Sequence, residues 1–164
     1  MLTKVEKVLT AEYKGLYGIS DPVDGFEVRG SFDVVVARDH CCYWMVNKDG
    51  TIMWGLVQKF DKKYTLPNLP RYSDEEARAF AESKLDMVLV SDTDQIRFKA
   101  LWDSTRDCAL VPVEEGDLKV WTAGRIVCIG DSVHKVCIPA SQLKWKALIR
   151  DRSRQRQRLE RFSQ

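Results

Sequence analysis

Two runs rich in aromatic and β-branched residues, Cys42-Tyr-Trp-Met-Val46 and Thr51-Ile-Met-Trp-Gly-Leu-Val57, flank the tetrapeptide Asn47-Lys48-Asp49-Gly50. Asp-Gly supplies the positive backbone angles of a tight turn, so this stretch predicts a β-hairpin. Ser31-Phe-Asp-Val-Val-Val36, just upstream, reads as a third strand. Three neighbouring strands of this kind predict a mainly antiparallel sheet in an α+β fold. The 164 residues are enough to bury a sizeable core without metal or disulfide staples.

Downstream of the hairpin, Pro67 and Pro70 mark a loop, because each removes an amide donor and restricts the residue before it. Ser73-Asp-Glu-Glu76 follows with capping-box spacing, in which Ser73 accepts from the Glu76 amide and the Glu76 carboxylate reaches back. Ala77, Phe80, Ala81, Lys84 and Leu85 continue at helical spacing, predicting a helix over 74–86. Phe98, Leu101 and Trp102 predict a shorter one. Cys108-Ala-Leu-Val-Pro-Val113 predicts a strand, with Pro112 placing it at an edge or bulge. Arg125-Ile-Val-Cys-Ile129 predicts a short buried strand that ends at Gly130-Asp131.

Charge separates the chain into two parts. From Lys144 to Gln164 eight basic residues face two acidic ones, whereas the remainder carries 18 basic and 22 acidic side chains. The run Arg150-Asp-Arg-Ser-Arg-Gln-Arg-Gln-Arg158 has no apolar face and predicts a solvated or disordered tail over 136–164. Its arginines would attract phosphate without sequence preference. No aromatic residue interleaves them before Phe162, and no nucleic-acid partner is expected. No apolar stretch approaches the length of a membrane span, and the charged N-terminus does not resemble a signal peptide. Five cysteines, two of them adjacent, fit no disulfide framework, so a reducing, cytoplasmic location is expected.

The most informative stretch is Trp121-Thr-Ala-Gly-Arg-Ile-Val-Cys-Ile-Gly-Asp-Ser-Val-His-Lys135. A strand that turns at Gly130 into a helix start would present unpaired amides to an anion. From the residues alone, Asp131 either caps that helix or accepts hydrogen bonds from ligand hydroxyls. The whole string resembles the Gly-Asp motif of FAD-dependent monooxygenases of the aromatic-hydroxylase type. Gly-Asp-Ser-Val-His-Lys is similar in particular to fungal enzymes that epoxidise prenyl chains in meroterpenoid and indole-diterpene pathways such as paxilline biosynthesis. Glu12-Tyr-Lys-Gly-Leu-Tyr-Gly-Ile-Ser20, Pro70-Arg-Tyr-Ser73, Phe98-Lys-Ala-Leu-Trp102 and Pro112-Val-Glu-Glu115 match the same family in order and spacing. The resemblance covers about residues 3–135.

The resemblance implies a substrate-side sheet domain over 1–120 and the Gly-Asp strand and helix start of an FAD domain over 121–135. It implies that Asp131 hydrogen-bonds the ribityl chain of FAD, with Gly130 in the turn. NADPH would reduce the flavin, and one atom of oxygen would pass to a prenylated or terpenoid intermediate of fungal secondary metabolism. Lys14 sits where relatives often carry a basic residue near the substrate, and an exposed lysine is the plainer reading. Tyr43, Trp44, Met53 and Trp54 either line a prenyl pocket or pack a core.

The chain also departs from that family. Its nine glycines contain no GxGxxG for the pyrophosphate, and no glycine follows Gly130. A protein truncated at both ends, with a shifted reading frame near residue 136, is therefore expected to bind FAD weakly unless a separate fragment supplies the dinucleotide part. Two alternatives stand beside the oxygenase: a non-catalytic relic or binding fragment, and a non-redox isomerase or cyclase reusing the pocket. His40-Cys41-Cys42 suggests a metal, but adjacent ligands strain one tetrahedral site, so none is expected. His134 near Ser132 suggests a hydrolase, yet no GxSxG elbow is present.

Overall fold

The computed structural model describes residues 9–26, 30–90, 95–117 and 119–135. In chain order the elements are β1 (Thr10–Ser20), β2 (Phe32–Val36), β3 (His40–Val46), β4 (Ile52–Thr65), helix α1 (Asp74–Glu82), β5 (Val88–Val90), β6 (Ile96–Arg97), helix α2 (Phe98–Asp103) and β7 (Thr105–Asp117). The last are β8 (Thr122–Ala123), β9 (Ile126–Val127), a 3-10 turn over Gly130–Ser132, and β10 (His134–Lys135). Six strands form one sheet in the order β10-β7-β1-β4-β3-β2, and β5-β6 and β8-β9 make two small pairs. Every pairing among the described residues is antiparallel. The fold is α+β and mainly antiparallel sheet, as expected.

The hairpin of β3 and β4 closes at 47–50 and pairs Trp44 with Trp54. Its turn is held by side chains as well as backbone. The Thr51 amide donates to Asp49 Oδ1 at 3.0 Å, and Asn47 Nδ2 donates to Thr51 Oγ1 at 2.8 Å. β2 adds to the outer side of β3, with Asp33 opposite Trp44. The strand at the centre of the sheet is β1, bonded to β4 on one side and β7 on the other. β7 runs through Pro112, which stands opposite Lys14. Among the described residues β7 has a partner on its far side only at Gly116 and Asp117, through β10. Pro112 thus lies on an edge strand, the place in a sheet where proline is tolerated.

One face of this sheet carries the helices. Leu16, Cys42, Trp44, Val46, Ile52, Trp54, Leu56 and Leu110 project to that side and are buried together with Ala77, Phe80 and Ala81 of α1 and Phe98 and Leu101 of α2. Each large side chain enclosed in this way contributes about 1.5–3 kcal/mol by leaving water. Ser20 is the polar hub of the layer. Its hydroxyl donates to the Leu101 carbonyl at 2.7 Å and accepts from the Trp54 indole N–H at 2.8 Å, which pins the end of α2 to the sheet.

α1 begins as the sequence predicts, since both bonds of the Ser73–Glu76 capping box are present. It stops at Glu82 rather than reaching 86. The Ser83 hydroxyl donates to the Phe80 carbonyl at 2.7 Å, and residues 83–86 form turns that carry the chain towards β5. Such local competition for carbonyls ends helices early.

The expectation of a buried strand over 125–129 running into a helix needs correction. β9 is two residues long and pairs only with β8. Ile126, Val127 and Ile129 are 68%, 62% and 74% exposed. Their apolar character suits a covered strand, but a buried strand needs neighbours along both edges and cover on both faces. Among the described residues it has one neighbour. Gly130 then adopts φ +64°, in the left-handed region, so a single 3-10 turn forms and the chain extends again into β10. The predicted tail over 136–164 lies outside the described residues.

Candidate functional site

The alternation of a strand sends neighbouring residues to opposite faces. With α1 and α2 on one face, the register determines what the other face presents. Across β7, β1, β4, β3 and β2 one row reads Ala109, Tyr17, Gly55, Tyr43, Val34. The row on one side is Asp107, Ile19, Met53, Met45, Phe32, and on the other Val111, Gly15, Val57, Cys41, Val36. Asp107, at a corner, is the single charged residue in these three rows. Ile19, Phe32, Val36, Met45, Met53 and Val111 are between 38% and 59% exposed. A contiguous apolar surface of this kind on a folded domain marks a binding or interaction site.

The centre of that face is shaped by glycine. A Cβ atom placed on Gly55 would stand 2.5 Å from Cζ of Tyr43, and one on Gly15 would stand 2.6 Å from Cζ of Tyr17. Both tyrosine rings therefore lie down over glycine backbone instead of standing away from the sheet. Phe32 continues the aromatic surface, with its ring centroid 5.9 Å from that of Tyr43. Sequence reasoning missed Tyr17, Gly15 and Gly55. The signal was a glycine two residues before an aromatic in one strand, and a glycine in register with an aromatic in the next.

The residues singled out from the sequence divide between the two faces. Trp44 and Trp54 are 3% and 2% exposed and belong to the core beneath the helices. Tyr43 and Met53 belong to the open face. Lys14 does not: its Nζ lies 4.3 Å from the centroid of Phe80 on α1, a cation–π contact on the helix side. The run His40-Cys41-Cys42 splits as well, with His40 and Cys42 on the helix side and Cys41 on the open face. Burial pushes the thiols of Cys41, Cys42 and Cys108 above their ordinary range, which keeps them protonated and poor nucleophiles. Burial, helped by Lys84, lowers His40, so that imidazole is neutral at physiological pH.

Asp131 is exposed on the 3-10 turn, and a Cβ built on Gly130 would meet nothing within 4 Å. The Ser132 hydroxyl donates to the Ile129 carbonyl at 2.6 Å and closes the turn. Val133 is 2% exposed, and β10 bonds to β7, so the turn is tied to the edge of the sheet. Lys135 Nζ reaches Glu114 Oε2 at 3.3 Å beside that joint. The structure brings Gly130 and Asp131 together and keeps Lys14 apart from them, on a strand two places away in the sheet.

Curated proteins are similar to this chain over about four-fifths of its length. FAD-dependent monooxygenase anuJ of Penicillium roqueforti is 39% identical over 130 residues, which is 79% of this chain and 16% of the relative. FAD-dependent monooxygenase paxM of Penicillium paxilli is 37% identical over 133 residues, 78% of this chain and 26% of the relative. FAD-dependent monooxygenase subE of Metarhizium robertsii is 32% identical over 136 residues, 83% of this chain and 41% of the relative. By sequence the chain is kin to the fungal FAD-dependent monooxygenases. It spans between about a sixth and two-fifths of the length of these relatives. No family model matches it. Among solved structures the fold is similar to CmlS, a flavin-dependent halogenase, with a TM-score of 0.51 at 19% identity over 79% of this chain and 23% of that one.

The kinship raises the question of FAD, and the described residues answer it in part. One exposed carboxylate beside an open glycine turn fits a single contact to a polyhydroxyl chain. The pyrophosphate and adenosine need a cradle of backbone amides, and no described glycine lies in a GxGxxG pattern. The described residues contain no such loop and do not fit the whole cofactor.

Proposed function

We propose that this chain forms the substrate-side wall of an FAD-dependent monooxygenase that epoxidises or hydroxylates a prenylated or terpenoid intermediate in fungal secondary metabolism. Residues 1–120 make the wall, and residues 121–135 carry the contact to the cofactor. The observation that supports this most directly is the apolar, partly exposed sheet face in a chain whose curated relatives are FAD-dependent monooxygenases. A hydrocarbon substrate needs apolar contact, and the three rows around Gly55 offer it. The exposed Asp131 carboxylate would accept a hydrogen bond from a hydroxyl of the flavin side chain, with the bare Gly130 leaving room beside it. When bound, FAD supplies the oxygen chemistry, with NADPH as the electron source. Lys14 enters this reading as a prop between β1 and α1.

The test is flavin retention and turnover. The purified chain, alone and together with a separately supplied FAD-binding segment of a relative, is mixed with FAD and desalted. Flavin absorbance that stays with the protein, NADPH oxidation stimulated by a prenylated indole, and loss of both in Asp131→Ala are expected. A folded protein that stays colourless in both preparations overturns the reading. If it then rearranges a supplied terpene epoxide, the reading passes to a non-redox cyclase or isomerase.

A further inference from the structure

The open face does more than offer apolar area, because its depth is set by two tyrosines. Tyr17 and Tyr43 flank Gly55 in one cross-strand row, in register on β1, β4 and β3. Tyr43 reclines across Gly55, and Tyr17 reclines over Gly15 of its own strand. Any side chain at either glycine would collide with a ring and tip it away from the sheet. Both tyrosines are half-buried, and both glycines are buried beneath them. The ring faces thus form a shallow floor, walled by Ile19 and Met53 on one side and Val111 and Val57 on the other.

We infer that Tyr17 and Tyr43, laid flat by Gly15 and Gly55, are specificity-determining residues that select a thin, uncharged, unsaturated hydrocarbon segment. This rests on the proposed role of the open face as a substrate wall. Two physical points carry it. The rows around Gly55 hold no charge except Asp107 at a corner, so a charged ligand would lose its hydration with no compensating partner. Flat aromatic rings favour ligands that stack along their faces, and such contact exceeds the gain from area alone. A rigid ring also costs little entropy when a ligand settles on it, which favours rings over flexible side chains as a floor.

The experiment uses farnesol as probe and the full chain labelled at its methionine methyl groups. Met45 and Met53 border the floor on the open face, while Met87 lies beyond α1 and serves as internal reference. Farnesol is expected to shift the Met45 and Met53 methyl signals and leave Met87 unmoved. Gly55→Ala and Gly15→Ala, which raise the rings, are expected to weaken binding by about tenfold, close to the value of one aromatic contact. Tyr17→Phe and Tyr43→Phe keep the rings and are expected to stay within about twofold. Should a glycine variant not fold, judged by circular dichroism, Tyr43→Ala and Tyr17→Ala carry the test and are expected to lose about tenfold without a change in fold. Farnesol that still moves Met45 and Met53 equally in the ring-raised and ring-deleted variants overturns the inference and leaves the substrate wall standing. Farnesol that moves neither methyl in the unaltered chain removes the wall, and the inference with it.

Discussion

The two faces of the central sheet are built from the same strands and in places from adjacent residues, yet they are different surfaces. On the helix side, Trp54 sits with Trp44, Leu16 and Phe98 almost free of solvent, and its indole is bonded to Ser20. One residue earlier, Met53 points to the other side and is 45% exposed. Both faces are apolar. What separates them is coverage: α1 and α2 supply buried side chains to one face, whereas Ile19, Met45 and Met53 on the other are 41–45% exposed. Burial therefore stabilises the fold on one side and leaves the other partly exposed.

The largest test of that difference is truncation of adjacent residues. Trp54→Ala is expected to cost about 3–5 kcal/mol, as deletion of a buried aromatic does, whereas Met53→Ala is expected to stay within about 1 kcal/mol. Urea melts of the pair measure it, and similar midpoints would remove the distinction between the faces. Glycine sharpens the comparison. Gly18 lets Trp54 lie flat on the helix side, as Gly55 does for Tyr43 on the open side. Gly18→Ala is expected to cost about 3 kcal/mol, because the ring it strikes is enclosed and cannot swing away. Gly55→Ala is expected to cost about 1 kcal/mol or less, since the half-exposed tyrosine has room to move.

Smaller effects follow from single polar groups. Ser20→Ala leaves the Trp54 indole N–H without its acceptor and is expected to destabilise by about 1–3 kcal/mol, the cost of an unsatisfied buried donor. Thermal denaturation measures it, and a neutral result would show that water reaches the indole. Ser73→Ala removes one half of the capping box and is expected to cost about 1 kcal/mol, read as lower helicity at the start of α1. The smallest expected change in stability belongs to the open face. Met53→Lys is expected to alter the melting midpoint by no more than about 0.5 kcal/mol while abolishing farnesol binding. A loss of stability as large as that of Trp54→Ala would mean that this face is covered after all.

Legibility of the fold tracked how local its causes are. The β3–β4 hairpin is written in its Asp49-Gly50 turn and flanking β-formers, and the start of α1 is written in Ser73 and Glu76. Both are completed within a few residues, so the sequence suffices. β1 was not legible as the central strand. Gly15 and Gly18 weaken its strand pattern, and their presence is explained only by rings packed from the same or neighbouring strands. The segment 125–129 was misread for the opposite reason. Its apolar run has the composition of a buried strand, but burial is a property of neighbours, and the described neighbours leave Ile126 and Val127 in solvent.

The candidate site was legible in the same uneven way. Gly130 and Asp131 stand out as a motif because their resemblance to other sequences is local and contiguous. Nothing contiguous marks Tyr17, Gly55 and Tyr43, which lie far apart in the chain and meet through strand register. Lys14 shows the limit from the other side, for its proximity to Tyr13 in sequence says nothing of the face it takes.

The order of amino acids alone determined the turns, the helix cap, the mainly antiparallel character and the kinship with flavin enzymes, because each depends on short-range stereochemistry or on matching residue to residue. Only the tertiary structure decided which face of the sheet the helices cover, and hence that Trp54 is core while Met53 belongs to the candidate site. Alternation along a strand specifies two faces, and packing against the rest of the molecule selects the one that is buried.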